Sequence, residues 1–407
     1  MSLTLADIHA AAETLHGEVV RTPTVPSGPL SDLHGCEIFL KLETLQRTGS
    51  FKDRGALVKL SSLSADQRER GVVTVSAGNH AQGVAWHAQR LGIPATILMP
   101  EGTPFTKIRR TERFGARVVL EGETLNEAEP RARAMVEEDG LTFVHPYDDE
   151  AILAGQGTIA LEMLEDVADL DAVLVPIGGG GILSGMATAL TELAPDIDVI
   201  GVEAELYPSM HNALHGQAAP MGGRTLADGI AVKRPGEVTR PIIERLVDDV
   251  VLVSESAIES AVQSFLTDAR LQVEGAGATP LAAVASDPDR FRGRRVGLVA
   301  CGANIDPRIL ATVLMRGMAA SGHLTRLRIA IDDQAGTLGR VAHTIGETGG
   351  NIVEIYHQRM FYDVPVRRAD LDAVVETRDP GHAEEIIRRL QEAGFPTRRL
   401  REDHESG

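Results

Sequence analysis

The 407-residue chain contains little of what several classes of protein require. Its two cysteines, Cys36 and Cys301, cannot build a disulfide framework or a multi-cysteine zinc site. Forty basic side chains stand against fifty-eight acidic ones, and the net charge of −18 argues against nucleic acid or an anionic membrane as the main partner. The N-terminus reaches a charged residue at Asp7, too early for a signal peptide. We therefore expect a cytoplasmic protein.

Long uncharged stretches are also rare, with one exception. Residues 172–191 carry no charge over twenty positions, which is the length of a transmembrane helix. The stretch nevertheless includes Pro176 and five glycines, a composition that favours a buried strand, a loop and a helix. We therefore predict that no segment spans a membrane.

Lysine is scarce as well, since only five of the forty basic residues are lysines. Lys52 alone lies in a distinctive motif, SFKDRGA, directly after an aromatic residue and at the start of a helical pattern. A desolvated lysine in that position loses its charge and becomes a nucleophile for an aldehyde. The alternative for Lys52 is an ordinary surface lysine. We expect that surface setting for the other four, which are Lys41, Lys59, Lys107 and Lys233.

Short apolar runs alternate with helical patterns through the first three hundred residues. Near-continuous apolar strands separated by helices predict an α/β fold with a parallel sheet covered on both faces. Ligands in such folds bind beyond the carboxyl ends of the strands, so the loops after Val75, Pro176 and Ala300 are the expected site. The predicted strands are 71–75, 95–99, 117–120, 172–176, 199–202, 250–253 and 296–300, and the clearest helices are 81–91, 158–164 and 257–269.

The motif SAGNHAQG, residues 76–83, follows one predicted strand and opens a helix. Backbone N–H groups at a helix N-terminus bind anions, and the side chains of Ser76, Asn79 and His80 add donors. A substrate carboxylate suits this arrangement. The alternative is a plain helix cap in which Ser76 or Asn79 satisfies backbone groups.

A run of four glycines, Gly178 to Gly181, follows a second predicted strand. Consecutive glycines let the backbone turn its N–H groups inward around a phosphate, although a flexible turn is the alternative. No Gly-Lys-Ser/Thr follows and the dinucleotide spacing is absent, which favours a phosphate that is not part of a nucleotide. At the end of a third strand, Cys301 is either a plain buried thiol or a hydrogen-bond partner for a heterocyclic nitrogen.

The four loops together describe one cofactor. Lys52 offers an amine for an aldehyde, the glycine loop a cradle for a phosphate, and Cys301 a partner for a ring nitrogen; pyridoxal 5′-phosphate carries all three groups. The motifs SFKDRGA and SAGNHAQG resemble those of the fold type II family of pyridoxal-phosphate enzymes, and among them the threonine ammonia-lyases. The resemblance spans about residues 5–318, and the motifs stand in the family's order.

The resemblance implies a two-lobed α/β enzyme with parallel or mixed sheets flanked by helices. Its catalytic domain would be residues 1–320, with a large lobe at about 1–45 and 150–320 and a small lobe at about 46–149. Lys52 would bind the cofactor covalently and act in catalysis. Phe51 would pack on the pyridine ring of the cofactor, and Asn79 would form a hydrogen bond with the 3-oxygen of that ring. The implied cofactor contacts are Phe51, Lys52, Asn79, Gly178, Gly179, Gly180, Gly181, Ile182 and Cys301, where Cys301 replaces the family's usual serine. The implied substrate contacts are Ser76, Ala77, Gly78, Asn79 and His80.

The implied reaction is a β-elimination that converts L-threonine, and L-serine as a second substrate, to 2-oxobutanoate or pyruvate and ammonia. Serine racemase or a 3-hydroxyaspartate dehydratase on the same fold is the alternative. Ala77 stands where racemases carry a serine, and Ser209 stands where their metal site has a second acid, although Glu203 matches its first. Both departures favour the lyase, while Glu203 is left as a candidate ligand for a metal, with a monovalent cation as a further option. A non-catalytic amino-acid sensor is a third interpretation.

The last eighty residues follow a β-α-β-β-α pattern, and a final edge strand at 398–400 would complete a ferredoxin-like α+β domain. Small and polar residues at 320–323 indicate the junction. The segment 326–407 resembles an ACT domain, a small amino-acid-sensing module, which implies allosteric regulation by an amino acid such as isoleucine or valine, bound between modules of a homodimer or homotetramer. The implied effector contacts are Asp333, Gly336, Leu338, Asn351 and Ile352.

Overall fold

The computed structural model describes residues 3–358 and 368–400, and the chain divides into two compact units between Ile305 and Asp306. The helices of the first unit are α1 Leu5–Leu15, α2 Gly28–His34, α3 Lys52–Ser61, α4 Ala65–Arg70, α5 Asn79–Leu91, α6 Phe105–Glu112, α7 Leu125–Asp139, α8 Glu150–Asp166, α9 Gly181–Leu193, α10 Ser209–His215, α11 Thr239–Leu246, α12 Glu255–Thr267, α13 Gly275–Ser286 and α14 Pro288–Phe291. Its strands are β1 Thr24–Pro26, β2 Glu37–Lys41, β3 Val72–Val75, β4 Ala95–Met99, β5 Arg117–Leu120, β6 Thr142–Phe143, β7 Ala172–Pro176, β8 Asp198–Ala204, β9 Asp249–Val253 and β10 Arg295–Val299.

A six-stranded mixed sheet forms the larger part of the first unit, in the order β1-β2-β10-β7-β8-β9. Five of its strands are parallel, and β1 pairs antiparallel with β2 at the edge. Every residue of β7 is buried, as expected for a strand covered on both faces. The predicted parallel α/β fold is confirmed. The uncharged stretch at 172–191 is the strand, loop and helix that its composition indicated, namely β7, the glycine run and α9.

A second, four-stranded parallel sheet has the order β5-β4-β3-β6 and comes from one continuous segment of the chain. Its two faces have separate cores because side chains alternate along a strand. Val72 and Ile97 pack with helices α3 and α5 on one face, whereas Val73 and Leu98 pack with α7 on the other. The first unit therefore has two sheets, each with its own helical cover.

Three neighbouring parallel strands of the large sheet, β2, β10 and β7, end at the same edge. The loop after β2 leads to Lys52, the loop after β10 contains Cys301, and the loop after β7 contains the glycine run. The loop after β3 of the smaller sheet leads to Asn79. The fold thus gathers the loops that the sequence indicated, and it does so where ligands bind in open α/β sheets.

The second unit contains α15 Pro307–Ala320, β11 Leu324–Asp332, α16 Thr337–Glu347, β12 Asn351–Gln358, β13 Arg368–Glu376, α17 Pro380–Glu392 and β14 Thr397–Arg399. Its strands form an antiparallel sheet in the order β12-β13-β11-β14. This is the ferredoxin-like order, so the predicted C-terminal α+β arrangement is confirmed. Within residues 3–358 and 368–400, no helix is long and apolar enough to cross a membrane.

Candidate active site

Lys52 is the first residue of α3, and its surroundings hold the side chain in a fixed place. The backbone N–H of Phe51 donates to the carbonyl of Cys301 at 3.0 Å, which ties the start of the helix to the loop after β10. The Lys52 Nζ donates to the Pro146 carbonyl oxygen at 2.6 Å and lies 5.0 Å from the centroid of the Phe51 ring. The amine therefore lies in the cleft between the two sheets, against an aromatic face.

Burial controls the electrostatics around this amine. It lowers the pKa of Lys52 to about 8, and the neighbouring Cys301 and Glu274 oppose that shift only in part. Burial also raises the pKa of the Cys301 thiol well above its usual value. Near neutral pH about a tenth of the lysine is the nucleophilic free amine, far more than for an ordinary lysine, while Cys301 is a neutral thiol that can donate or accept a weak hydrogen bond.

The glycine run lies where side chains do not fit. A Cβ at Gly179 would overlap the ring of Tyr147, and Gly180 has φ +96°, a left-handed conformation that favours glycine. The hydroxyl of Thr239 donates to the Gly179 carbonyl at 2.6 Å, so this carbonyl has a partner inside the protein. Since α9 begins at Gly181, the N–H groups of its first turn have no intrahelical acceptor. The loop can bind a phosphate with backbone donors alone.

A second helix N-terminus, that of α5, begins at Asn79. The Ser76 hydroxyl accepts a hydrogen bond from the Gly78 N–H at 3.2 Å and so shapes the turn before the helix. The His80 ring Nε2 lies 3.1 Å from the Val144 carbonyl oxygen, and burial, followed by the charge of Lys52, lowers its pKa to about 3. The neutral ring thus donates to Val144, not to a ligand as the sequence led us to expect. The backbone N–H groups of the first turn are left for an anion.

Two residues that the sequence analysis missed lie beside Asn79. Its Nδ2 donates to Glu274 Oε1 at 2.7 Å, and its Oδ1 accepts from Asn304 Nδ2 at 2.8 Å. Burial, followed by the charge of Asp228, raises the pKa of Glu274 to about 7. Asn304 lies three residues after Cys301 in the segment CGAN, and Glu274 directly precedes a helix that begins Gly-Ala-Gly. The sequence did contain one sign of Glu274, namely a carboxylate directly before a glycine-rich helix in a chain with this cofactor's motifs.

Glu203, the candidate metal ligand, is engaged by the protein. Its carboxylate accepts backbone N–H groups from Met210 at 2.9 Å and His211 at 2.8 Å, and the Ser209 hydroxyl lies 3.4 Å away. Burial raises the pKa of Glu203 to about 7. In residues 3–358 and 368–400, no three His, Cys, Asp or Glu side chains are grouped to hold a metal ion. Glu203 caps helix α10 in this structure.

Lys41 corrects a sequence expectation. We expected a surface lysine, but its side chain is completely buried and its Nζ donates to Glu162 and to the Thr22 carbonyl, each at 2.6 Å. Lys59, for which we also expected a surface position, is partly buried and pairs with Asp149. Composition alone did not reveal that the fold buries Lys41.

The predicted effector residues fall into two groups. Asp333, Gly336 and Leu338 lie between the end of β11 and the first turn of α16, whereas Asn351 and Ile352 begin β12. The register pairs Asn351 with Glu376 and Glu376 with Leu324, so β12 begins level with the start of β11. The two groups therefore lie at opposite ends of the sheet. A cavity of about 320 Å³ beside the first group is lined by other residues, among them Gln334, Thr337, Arg340 and Phe395.

Comparison with known proteins gives a consistent set of relatives. A family described as "pyridoxal-phosphate dependent enzyme" matches residues 15–302. The L-threonine ammonia-lyase of Thermotoga maritima is 44% identical over 398 residues, which cover 97% of this chain and 99% of that protein.

Two solved structures show the same architecture. Threonine deaminase isoform 2 from Solanum lycopersicum superposes with a TM-score of 0.72 and 38% identity, covering 76% of this chain and 86% of that one. A serine racemase from Dictyostelium discoideum gives a TM-score of 0.70 and 32% identity, covering 75% and 100%. The racemase is thus the more distant of the two in sequence.

Proposed function

This chain belongs to the family of pyridoxal-phosphate dependent enzymes, and on that premise we infer that it deaminates L-threonine to 2-oxobutanoate and ammonia. The observation that carries the inference is the 44% identity to an L-threonine ammonia-lyase over 97% of the chain, since a relationship of that extent covers the cleft and both units. The reaction is a β-elimination, with L-serine as a second substrate that would give pyruvate.

The residues present fit the cofactor. A phosphate needs backbone donors without side chains in the way, and the glycine run provides them because a Cβ at Gly179 would already overlap Tyr147. An aldehyde needs a free amine, and burial lowers the pKa of Lys52 to about 8. An unprotonated ring nitrogen suits a neutral partner, and Cys301 is a neutral thiol. Phe51 offers its ring beside the lysine.

When bound, pyridoxal phosphate supplies an electron sink for the carbanion that forms as the Cα proton leaves. Lys52 is the residue that takes this proton at Nζ, because burial lowers the pKa of its amine to about 8 and so leaves part of it as the free base. The first turn of α5, at Asn79 and His80, binds the substrate carboxylate through backbone N–H groups. Cys301 holds no proton that it can readily give up, since its pKa lies well above the usual value.

Ala77 distinguishes the lyase from a racemase on the same fold. Inversion at Cα requires a proton donor on the face opposite Lys52, and the methyl side chain of Ala77 cannot supply one. We expect the purified protein to convert L-threonine to 2-oxobutanoate, to accept L-serine, and to form negligible D-serine. A turnover assay over L-threonine, L-serine and 3-hydroxyaspartate, with chiral analysis of the serine pool, checks this. D-serine as the main product from L-serine would refute the lyase assignment.

The second unit is proposed to be an ACT module that senses an amino acid, with isoleucine and valine as the first candidates. Because its two groups of predicted contacts lie at opposite ends of one sheet, an effector that touches both groups needs a second copy of the module. We therefore propose a homo-oligomer whose effector sites lie between modules. Activity measured against isoleucine and valine, together with light scattering, tests this. A cytoplasmic location and a monovalent cation near Glu203 stay predictions.

Gly179→Ala is expected to weaken cofactor binding at least tenfold, because the new methyl group cannot coexist with the Tyr147 ring and must displace the loop. Equilibrium titration of cofactor-free protein with pyridoxal phosphate measures the effect. Gly102→Ala is the control, since a Cβ there meets no atom within 4 Å. The double variant Gly179→Ala/Tyr147→Ala should recover part of the affinity; unchanged affinity in the single variant would contradict the proposed phosphate cradle.

A further inference from the structure

The amide of Asn79 is held at both ends by protein groups. Its Nδ2 donates to Glu274 Oε1 at 2.7 Å, and its Oδ1 accepts from Asn304 Nδ2 at 2.8 Å. An amide side chain has one oxygen acceptor and a nitrogen with two hydrogens. A carboxylate accepts only and therefore fixes the nitrogen end, while Asn304 fixes the oxygen end. One N–H of Asn79 is left to donate to a group outside this trio.

Asn304 is itself fixed, so it cannot simply turn with Asn79. Its Nδ2 also donates to the carbonyl of Thr48 at 2.8 Å, in the loop that leads to Lys52. Its backbone N–H donates to Glu274 Oε2 at 3.0 Å. Reversing the Asn79 amide would face nitrogen against nitrogen at Asn304. It would also face oxygen against oxygen at Glu274 in the ionised form, which prevails above its pKa of about 7, so the reversal costs two hydrogen bonds in a buried place.

Glu274 has little freedom to move. It is 5% exposed, it precedes the first residue of α13, and its backbone N–H donates to the Gly302 carbonyl at 2.9 Å. A Cβ added at Gly302 would lie 2.5 Å from Glu274 Oε1, so the carboxylate packs directly on the loop that contains Cys301. Both carboxylate oxygens accept hydrogen bonds from amide N–H groups. These contacts fix Glu274 in a position from which its carboxylate can hold the Asn79 amide in one orientation.

We propose that Glu274 is a positioning residue, which fixes the Asn79 amide so that an N–H and not the carbonyl oxygen faces the 3-oxygen of the cofactor ring. The inference rests on the proposed function and on the role expected for Asn79. An N–H donor stabilises the ionised form of that oxygen, whereas a carbonyl would favour its protonated form. Glu274 thereby acts through Asn79 on the protonation state of the ring 3-oxygen.

Glu274→Gln is the direct test because it keeps the size of the side chain and removes one acceptor. In the wild type two donors, Asn79 Nδ2 and the backbone N–H of Asn304, face the two carboxylate oxygens of Glu274. A glutamine has only one oxygen, so its NH₂ group must face one of these two donors. We expect kcat for L-threonine to fall between about tenfold and a hundredfold with a small change in KM. We also expect the absorption of the lysine-bound cofactor to move to shorter wavelength, as a protonated ring oxygen requires.

Glu274→Asp and Glu255→Gln complete the experiment. The aspartate variant keeps two acceptors and the charge, so its kcat and spectrum should lie closer to those of the wild type than those of Glu274→Gln. If the glutamine variant does not fold, the aspartate variant provides the test in its place. Glu255 also accepts two hydrogen bonds, from the Thr225 hydroxyl at 2.6 Å and the Leu226 N–H at 2.8 Å, but neither donor belongs to the network of Asn79 and Asn304. Glu255→Gln should leave the spectrum unchanged even if it lowers thermal stability.

The outcomes separate the two hypotheses. If wild-type protein shows no absorption of lysine-bound cofactor after pyridoxal phosphate is added, the proposed function fails. If the wild type shows it and Glu274→Gln keeps the same spectrum and kcat, the proposed function stands and the positioning role is wrong. A spectrum that shifts in Glu274→Gln and returns in Glu274→Asp supports the role, because loss of packing alone would not move the absorption.

Discussion

Lys52→Ala is expected to lower the activity towards L-threonine by a factor of about a thousand or more and to abolish the absorption of lysine-bound cofactor. The variant loses the nucleophile for the aldehyde and the base for the Cα proton in one step. Three of the other four lysines are already paired: Lys41 in a buried ion-pair cluster, Lys59 with Asp149 and Lys107 with Asp228. Absorption spectroscopy and a 2-oxobutanoate assay measure both losses.

Lys233→Ala is the matched control, because that lysine is exposed and lies outside the cofactor loops. It should keep the wild-type spectrum and kcat. The pH dependence gives an independent check: the free amine of Lys52 becomes more abundant as pH rises through its pKa of about 8. Capture of pyridoxal phosphate by cofactor-free protein should therefore accelerate with pH across this range and then level off. Normal turnover by Lys52→Ala would remove the basis of the enzyme assignment.

Arg54→Met is expected to lower the free energy of unfolding by about 3–5 kcal/mol, the largest stability effect in the chain that we foresee. The Arg54 guanidinium is fully buried and donates to both oxygens of Glu43 and of Glu162 over 2.6–2.9 Å. Lys41 completes the cluster by donating to Glu162 at 2.6 Å. Two cations thus balance two anions, and loss of Arg54 leaves the fully buried Glu43 without its bidentate partner.

The pKa of Glu43 shows how much this carboxylate depends on Arg54. Burial by itself would raise the pKa of Glu43, but the charge and hydrogen bonds of Arg54 outweigh burial and hold it below the usual value. A carboxyl with a lowered pKa stabilises the fold above its unfolded pKa, and that stabilisation is lost as pH falls through the folded pKa. The cluster should therefore make acid unfolding of the wild type steeper than that of a variant without it.

Urea unfolding followed by circular dichroism tests the prediction. Arg133→Ala is the control: it removes an exposed pair with Glu129 at 3.0 Å and a contact with the Phe143 ring at 4.2 Å, and should change stability by only about 1 kcal/mol. The double variant Arg54→Met/Glu43→Gln should be more stable than Arg54→Met alone, because it no longer buries an unpaired charge. Equal stability of Arg54→Met and Arg133→Ala would show that the buried cluster contributes nothing beyond a surface pair.

The fold was predicted well where the sequence carries a repeating local signal. Strands such as Ala172–Pro176 and Ala95–Met99 are the predicted ones, and in Ala172–Pro176 the unbroken apolar run does correspond to burial of every residue. The short strands at Thr24–Pro26 and Thr142–Phe143 were missed, since two or three residues hold no periodicity to read. The five-residue strand Glu37–Lys41 was missed as well, because charged residues at both ends shorten its apolar run to three residues. In the second unit, alternating strands and amphipathic helices were long enough to predict the order of elements correctly.

The sequence by itself determined which chemical groups the cleft holds: a lysine after an aromatic, four glycines after a buried strand, a cysteine at a third strand's end. These follow from local rules, because a glycine run or a helix start is decided by neighbouring residues. Only the tertiary structure decided which groups meet. Asn79 forms a hydrogen bond with Glu274, 195 positions away in the sequence, His80 with the carbonyl of Val144, and Glu203 with the backbone at the start of a helix. Such contacts depend on which strands are neighbours in the sheet, and strand order is set by packing across the whole unit, not by any local pattern.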